Sequence, residues 1–412
     1  MSSQKEEGQG QGQAGSALFP TYARFPITMV KGEGSKLWDD QGNEYLDFAS
    51  GIAVTNLGHS PKQVRDRLVA QLDELWHVSN LFHIPNQDRL AVLLTENSFA
   101  DAVFFCNSGA EANEAAIKIA RRYNAKVLGN DRYEVITFQT SFHGRTLATL
   151  TATGQDKVKE GFHPLPVGFV HAPYNDAEAL QSCVTDKTCA IMLEFVQGEG
   201  GVIPATPEFV AEVVRLCEQH NLLLIADEIQ TGMGRTGKLF AYEHYGVEPD
   251  IMTLAKGLGS GFPIGAMLGK AKLREAFSAG SHGTTFGGTP IATAAGIATI
   301  ETMLEERLSE RAAELGDYIQ AQLREKLAGN PLVKTVRGLG LLIGIECTGP
   351  VGDFVSTMHK RGLIIISAGP NVIRLLPNFY VSVEEADRGV GIIAGVLAEQ
   401  AALAEGAATA KN

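Results

Sequence analysis

The chain has 412 residues, with 35 Lys and Arg against 47 Asp and Glu for a formal net charge of −12. An apolar share of 44% supports a sizeable core, and the acidic balance argues against general electrostatic binding to nucleic acid or to an anionic membrane. Five scattered cysteines (Cys106, Cys183, Cys189, Cys217, Cys347) with no C-x-x-C pair exclude a disulfide scaffold or a zinc site and predict a reduced, cytoplasmic protein with no bound metal. Apolar runs such as 222–226 and 363–366 fall short of a membrane span, and the polar first residues lack a signal-peptide core.

In chain order, residues 1–16 read as a disordered tail, and short strands and turns follow from Tyr22 to Phe48, with a turn at Trp38-Asp39-Asp40-Gln41-Gly42. A helix begins at Ser60-Pro61, with Ser60 as its cap, Pro61 as its first position and Val64, Leu68, Leu72 and Leu75 as its apolar stripe. From about Asp101, apolar strands at 102–106, 135–138, 190–196, 222–226 and 251–254 alternate with helices that start near Ala110 and Phe209. That alternation predicts an α/β fold, a mostly parallel sheet covered on both faces, with the site in loops at the carboxyl ends of the strands. After Ile300 come a helix, strands at 341–346, 363–367 and 372–376, and a final helix with a Ser382–Glu385 capping box. The expected division is 17–75 and 301–404 as the two segments of a small α+β domain, 76–300 as a large domain, and 405–412 as a flexible tail.

Three clusters sit at strand ends. Ser108, Gly109 and Ala110 open a helix whose exposed N–H groups suit a phosphate, although Ser108 with Glu111 also fits a plain capping box. Asp227 ends a strand, where a carboxylate is often just a turn or helix cap and carries little by itself. Lys256 follows the strand at 251–254; a lysine there is commonly solvated, but Leu254, Ala255, Gly257 and Leu258 surround this one, and apolar surroundings depress an amine's pKa and make it a nucleophile. A fourth cluster misleads. Gly232-Met233-Gly234-Arg235-Thr236-Gly237-Lys238 matches G-x-G-x-x-G and nearly a P-loop, so a nucleotide-binding oxidoreductase is the alternative from another class. Leu239 stands where a magnesium-binding hydroxyl is required, and the glycines do not leave the strand directly.

Taken in order, Ser108-Gly109-Ala110, Ser141-Phe142-His143-Gly144-Arg145, Glu194 with Gln197-Gly198-Glu199-Gly200-Gly201, Asp227-Glu228-Ile229-Gln230-Thr231-Gly232, Lys256 and Thr284-Thr285-Phe286-Gly287-Gly288 resemble the class-III, ω-type aminotransferases from about Phe19 to residue 400. The resemblance implies a fold-type-I scaffold carrying pyridoxal 5′-phosphate. It implies Lys256 as the lysine that carries the cofactor and then moves the substrate proton, and Asp227 as the partner of the pyridine nitrogen. Gln230 is implied at the cofactor's phenolic oxygen, Phe142 over its ring, Ser108, Gly109 and Ala110 around its phosphate, and Thr285 on that phosphate from a second subunit, hence a homodimer with shared sites. Arg145 is implied to grip the substrate α-carboxylate. Arg374, paired with Glu199 until an acidic substrate arrives, is implied to bind the second carboxylate of glutamate or 2-oxoglutarate. Gly51-Ile52-Ala53-Val54, Leu57-Gly58-His59, Trp76 to Phe82 and Ala152 to Lys157 look most like the branch whose amino donor is N2-acetyl-L-ornithine; ornithine, succinylornithine and 4-aminobutyrate are the neighbouring donors. Phe195, Thr289 and Phe379 depart from the family pattern, and Phe379, near Arg374 in sequence, is expected to bear on the substrate pocket.

Overall fold

The computed structural model describes residues 17–409, so the expected tails at 1–16 and 410–412 lie outside the described residues. Three strands formed by the amino-terminal segment, β1 (Met29–Glu33), β2 (Lys36–Asp39) and β3 (Glu44–Asp47), build an antiparallel meander. Its β2–β3 turn is held by Asp39, whose Oδ1 accepts from the backbone N–H groups of Gln41 and Asn43 at 3.0 and 2.8 Å.

The central sheet has seven strands. They are β4 (Ala102–Cys106), β5 (Glu134–Phe138), β6 (Phe169–Ala172), β7 (Thr188–Leu193), β10 (Leu223–Asp227), β11 (Ile251–Leu254) and β12 (Gly265–Gly269), in the spatial order β4-β12-β11-β10-β7-β5-β6. A short hairpin, β8 (Val196–Gln197) with β9 (Ile203–Pro204), separates β7 from β10 in the chain. Every residue of β7, β10 and β11 is buried, as two helix-covered faces require. Six of these strands run one way; β12 alone runs against them, pairing antiparallel with both β11 and β4. That reversal brings Gly265, the start of β12, opposite Cys106, the end of β4, so both reach the edge where the strands terminate.

Carboxyl-terminal residues form a second sheet, β13 (Val333–Leu339), β14 (Leu342–Cys347), β17 (Val372–Leu375) and β16 (Ile366–Ala368) in that spatial order, while β15 (Leu363–Ile364) joins the amino-terminal meander beside β3. The two chain ends are thus stitched together in one sheet. The last helix, Val383–Thr409, opens on the expected box: Glu385 N–H donates to Ser382 Oγ and Ser382 N–H to Glu385 Oε2, both at 3.1 Å. It runs to Thr409, so residues 405–409, expected as tail, belong to the helix. Its stretch Val383–Gly406, of mean hydropathy 1.2, is long and apolar enough to cross a membrane, unlike the runs read from sequence; here Ala386, Val390, Ile393, Val396 and Leu397 pack it into the core.

Four local expectations need correction. Ser60 does not cap its helix: it lies at φ +52° and its hydroxyl donates to Gly32 O, so the helix is Lys62–Leu72 with Pro61 before it. Within that helix's stripe Val64 is buried, but Leu72, like Leu75 beyond the helix, lies exposed. The strand expected at 190–196 ends at Leu193, and that at 363–367 is two short strands in different sheets. The glycine-rich stretch is a turn buried over 232–237, with only Lys238 exposed, and not a phosphate loop. Arg235 at its centre is fully buried, donating to Asn56 Oδ1 at 2.7 Å and to the carbonyls of Leu341 and Pro377, so it clamps the last segment of the chain to the central sheet. Gly234 packs against side chains, where a Cβ would come within 2.7 Å of Met303 Cε and 3.2 Å of Phe379 Cζ.

Candidate active site

A cavity of about 430 Å³ opens where β4, β5, β7, β10 and β11 end, which is where a doubly wound sheet places its ligands. Ser108, Gly109, Ala110, Phe142, Arg145, Glu199, Asp227, Gln230 and Lys256 all line it, so nine of the eleven residues implied by the resemblance converge from segments far apart in sequence. Arg374 stands one layer behind Glu199. Thr285 is the exception: it lies on the exposed surface and does not line the cavity of its own chain.

The helix Gly109–Lys126 points its start at the cavity. Ser108 caps it, its Oγ accepting from Glu111 N–H at 3.2 Å, but the box is altered: Glu111 reaches past Ser108 to accept from the backbone and side chain of Asn107, at 2.6 and 2.8 Å. The Gly109 side faces Ile229, where a Cβ would come within 2.8 Å, and a Cβ on Gly265 would strike Ser108 O at 2.5 Å. Close backbone approach around an open helix start suits a phosphate.

Asp227, the last residue of β10, is buried and fully bonded. Oδ2 accepts from His143 Nδ1 at 2.7 Å and Asn113 Nδ2 at 2.8 Å, while Oδ1 accepts from Ile229 N–H at 3.1 Å. Asn113 is itself held by Thr253 Oγ1 at 2.8 Å, and His143 Nε2 is buried with no partner among the described residues. Neither Asn113 nor His143 was singled out from the sequence. The signal was present: an asparagine on the alanine face of a helix, and a histidine inside a motif already quoted for its neighbours.

Lys256 begins the turn after β11, at φ +41°, a strained position for a side chain of this size. Among the described residues its amine makes no hydrogen bond or ion pair, and burial, opposed by Glu199, lowers its pKa to about 8. Glu194, just past β7, accepts from Phe142 N–H at 3.0 Å; burial first and then the charge of Asp227 hold its carboxyl well above the usual range. Burial also pushes Glu199 upward, but the Arg374 guanidinium 2.7 Å away outweighs it, and Glu199 stays below the ordinary carboxylate value. Arg145 projects exposed at the rim, its guanidinium 5.5 Å from the Phe142 ring, with no ion pair among the described residues.

Of the departures, Phe195 stacks on Tyr245 at 5.2 Å and Thr289 leads into the helix Pro290–Glu305. Phe379 does not reach the pocket as expected: it is fully buried against Arg235, 5.3 Å from that guanidinium.

These residues fit pyridoxal phosphate: an anion cradle whose glycines admit close approach, a buried carboxylate held in place by donors, and an unpaired amine of lowered pKa, all on one cavity wall. Among the described residues no cluster of His, Cys, Asp and Glu is arranged to hold a metal ion.

A model of the class-III aminotransferases matches residues 19–397, and the chain belongs to that family. The acetylornithine aminotransferase of Halalkalibacterium halodurans is 53% identical over 382 residues, 93% of this chain and 98% of that one. Among solved structures, an ornithine aminotransferase of Toxoplasma gondii with PLP at partial occupancy in its active site superposes with a TM-score of 0.89 at 33% identity, covering 92% of each chain. The N-acetylornithine aminotransferase of Stenotrophomonas maltophilia superposes with a TM-score of 0.81 at 36% identity, covering 93% of this chain and 98% of that one.

Proposed function

We propose that this chain is a pyridoxal-phosphate-dependent transaminase that moves the δ-amino group of N2-acetyl-L-ornithine to 2-oxoglutarate, forming N-acetyl-L-glutamate 5-semialdehyde and L-glutamate in arginine biosynthesis. The observation that carries the reading is the Glu199–Arg374 pair at 2.7 Å behind a cavity whose rim holds a free Arg145. Such a pocket takes one carboxylate at the rim and, with the inner pair closed, a neutral acetylated substituent; with the pair open it takes a dicarboxylate. The relatives named for acetylornithine, near 50% identity, support the same donor.

Bound pyridoxal phosphate supplies a conjugated electron sink for the carbon that loses its proton. The protein does the rest. Ser108, Gly109 and Ala110 would hold the phosphate, and Phe142 would cover the ring. Asp227, kept in place by His143 and Asn113, would hold the pyridine nitrogen and favour its protonated form. Gln230 would bond the phenolic oxygen. Lys256 would anchor the cofactor and, as an amine near neutrality, would serve as the base that holds and moves the substrate proton. Thr285 of a second copy completes the phosphate site, so the working unit is a homodimer. The division into a large domain at 76–300 and a small one from the flanking segments, and a cytoplasmic address in keeping with five free cysteines, belong to the same proposal.

The test is a visible spectrum of the purified protein. The expected result is an absorption band that bleaches on adding N-acetylornithine without keto acid and returns with 2-oxoglutarate. A protein that bleaches only with ornithine or 4-aminobutyrate retains the chemistry and refutes the donor. A protein that takes up no pyridoxal phosphate refutes the whole reading.

A further inference from the structure

Arg374 lies within β17, almost wholly buried, and its contacts are not those of a simple ion pair. Its Nη1 donates to Glu199 Oε1 at 2.7 Å and also to Gln230 Oε1 at 3.1 Å, while Nη2 reaches Ser367 O at 3.4 Å and Nε has no partner among the described residues. The Gln230 amide also lines the cavity, so one side chain touches both the buried guanidinium and the space a ligand enters. Its backbone belongs to the turn that leaves Asp227, where Ile229 N–H bonds Asp227 Oδ1 and Gly232 N–H bonds Glu228 O. The backbone that carries this amide is therefore held and the amide itself bonds Arg374, whereas Glu199, partly exposed in a glycine-rich segment, is free to turn away.

Gly198 explains why the amide can lie there. A Cβ at this position would come within 2.0 Å of Gln230 Oε1 and 2.5 Å of its Cδ. The φ of Gly198 is outside the left-handed region, so the missing side chain answers to space, not to backbone conformation. When Glu199 releases the guanidinium, Gln230 and one long contact to Ser367 are what remain to aim it. A buried cation held in position before its ligand arrives binds that ligand without first having to be ordered.

We propose that Gln230 is the fixed half of a two-part latch on Arg374, that Gly198 is the positioning residue that keeps it there, and that the two together set the affinity for a dicarboxylate as the second substrate. The inference rests on the reading of this pocket as one that accepts a neutral donor and then an acidic acceptor.

Gly198→Ala tests it, because the new methyl meets the end of a flexible side chain and displaces the amide without forcing backbone to move. Calorimetry with glutarate, a dicarboxylate that cannot transaminate, is run on the cofactor-free and the loaded protein, and KM is measured for both substrates. Loss of a hydrogen bond to a charged group raises the glutarate Kd and the KM for 2-oxoglutarate about tenfold or more. The KM for N-acetylornithine, bound with the latch closed, rises by a smaller factor, set by the amide's contact with the cofactor that both half-reactions lose. Gln230→Leu, read only by glutarate binding to the cofactor-free protein, gives the same loss and decides the matter if Gly198→Ala does not fold. Unchanged glutarate affinity in these variants, or KM values for donor and acceptor that rise by the same factor, overturns the latch. A wild-type protein that ignores N-acetylornithine yet binds glutarate defeats the proposed donor and leaves this measurement intact.

Discussion

Burial lowers Lys256 to about 8 while Glu199 pulls the other way, so near neutrality a minority of the amine is uncharged and nucleophilic, a share that rises steeply by pH 8. Replacing it by Ala removes both the anchor and the base: kcat falls on the order of 10⁴-fold or more, while the thermal unfolding curve keeps a single transition, and a variant with turnover near wild type contradicts the assignment. A second buried group gives a pH signature of its own. Glu228 is fully buried beside Asp227, accepting from Tyr242 N–H at 2.9 Å and from the Thr231 hydroxyl; burial outweighs those bonds and raises it to about 7. A raised carboxyl favours the folded state while protonated, so its contribution is complete below about 4.5 and is lost as pH rises through 7. Glu228→Gln abolishes that slope, worth ~3 kcal/mol, and urea midpoints at pH 5 and pH 8 measure it; parallel wild-type and variant profiles show that Glu228 is not its source. Residues with distinctive local surroundings, such as Lys256 among apolar neighbours, were legible in the sequence. Asn113 and His143 were not, because what gives them a role is a carboxylate 114 and 84 positions away that only the fold brings within 2.8 Å.

At the level of elements, the cradle depends on two pieces meeting: the start of the helix Gly109–Lys126 and the reversed strand β12 beside it. The helix was readable from its cap and alanine face. The strand was not, since Gly265–Gly269 is a five-residue buried run with no alternation, and its antiparallel direction follows from a chain reversal at 261–264 that carries no periodic signal. Ser60 shows the opposite failure, a sound cap residue drawn away by a tertiary bond to Gly32. Because the Gly265 Cα faces Ser108 O, Gly265→Ala presses a methyl on backbone, not on a side chain that can swing aside. The expected outcome is a shifted helix start and a Kd for pyridoxal phosphate raised about tenfold or more, the scale of one lost charge-assisted bond. Fluorescence titration of the cofactor-free variant reads it, and wild-type affinity would show that the cradle tolerates the displacement.

The whole molecule carries a feature that one copy does not account for. Trp76 (61% exposed), Leu81 (89%), Phe82 (63%) and Phe286 (61%) are large apolar side chains left in solvent. They form one surface: the His77 and Phe286 rings lie 5.4 Å apart, and Asn80 Nδ2 donates to the carbonyls of Thr284 and Gly287. That surface adjoins the cradle, because Asn107 Nδ2 donates to Thr284 Oγ1 at 3.1 Å, yet Thr285 itself faces outward. Exposed apolar area next to the cradle is what a second copy would cover. Sedimentation is expected to give a particle of twice the 44.1 kDa chain mass. Leu81→Glu combined with Phe286→Glu places like charges on the face, shifts the particle to the single-chain mass, and lowers retention of pyridoxal phosphate on gel filtration because Thr285 no longer arrives. Thr285→Val alone separates the two effects: the dimer persists and only the cofactor is held more weakly. A monomeric double variant that retains the cofactor as tightly as wild type would show that each chain builds its phosphate site unaided, and would remove Thr285 from it.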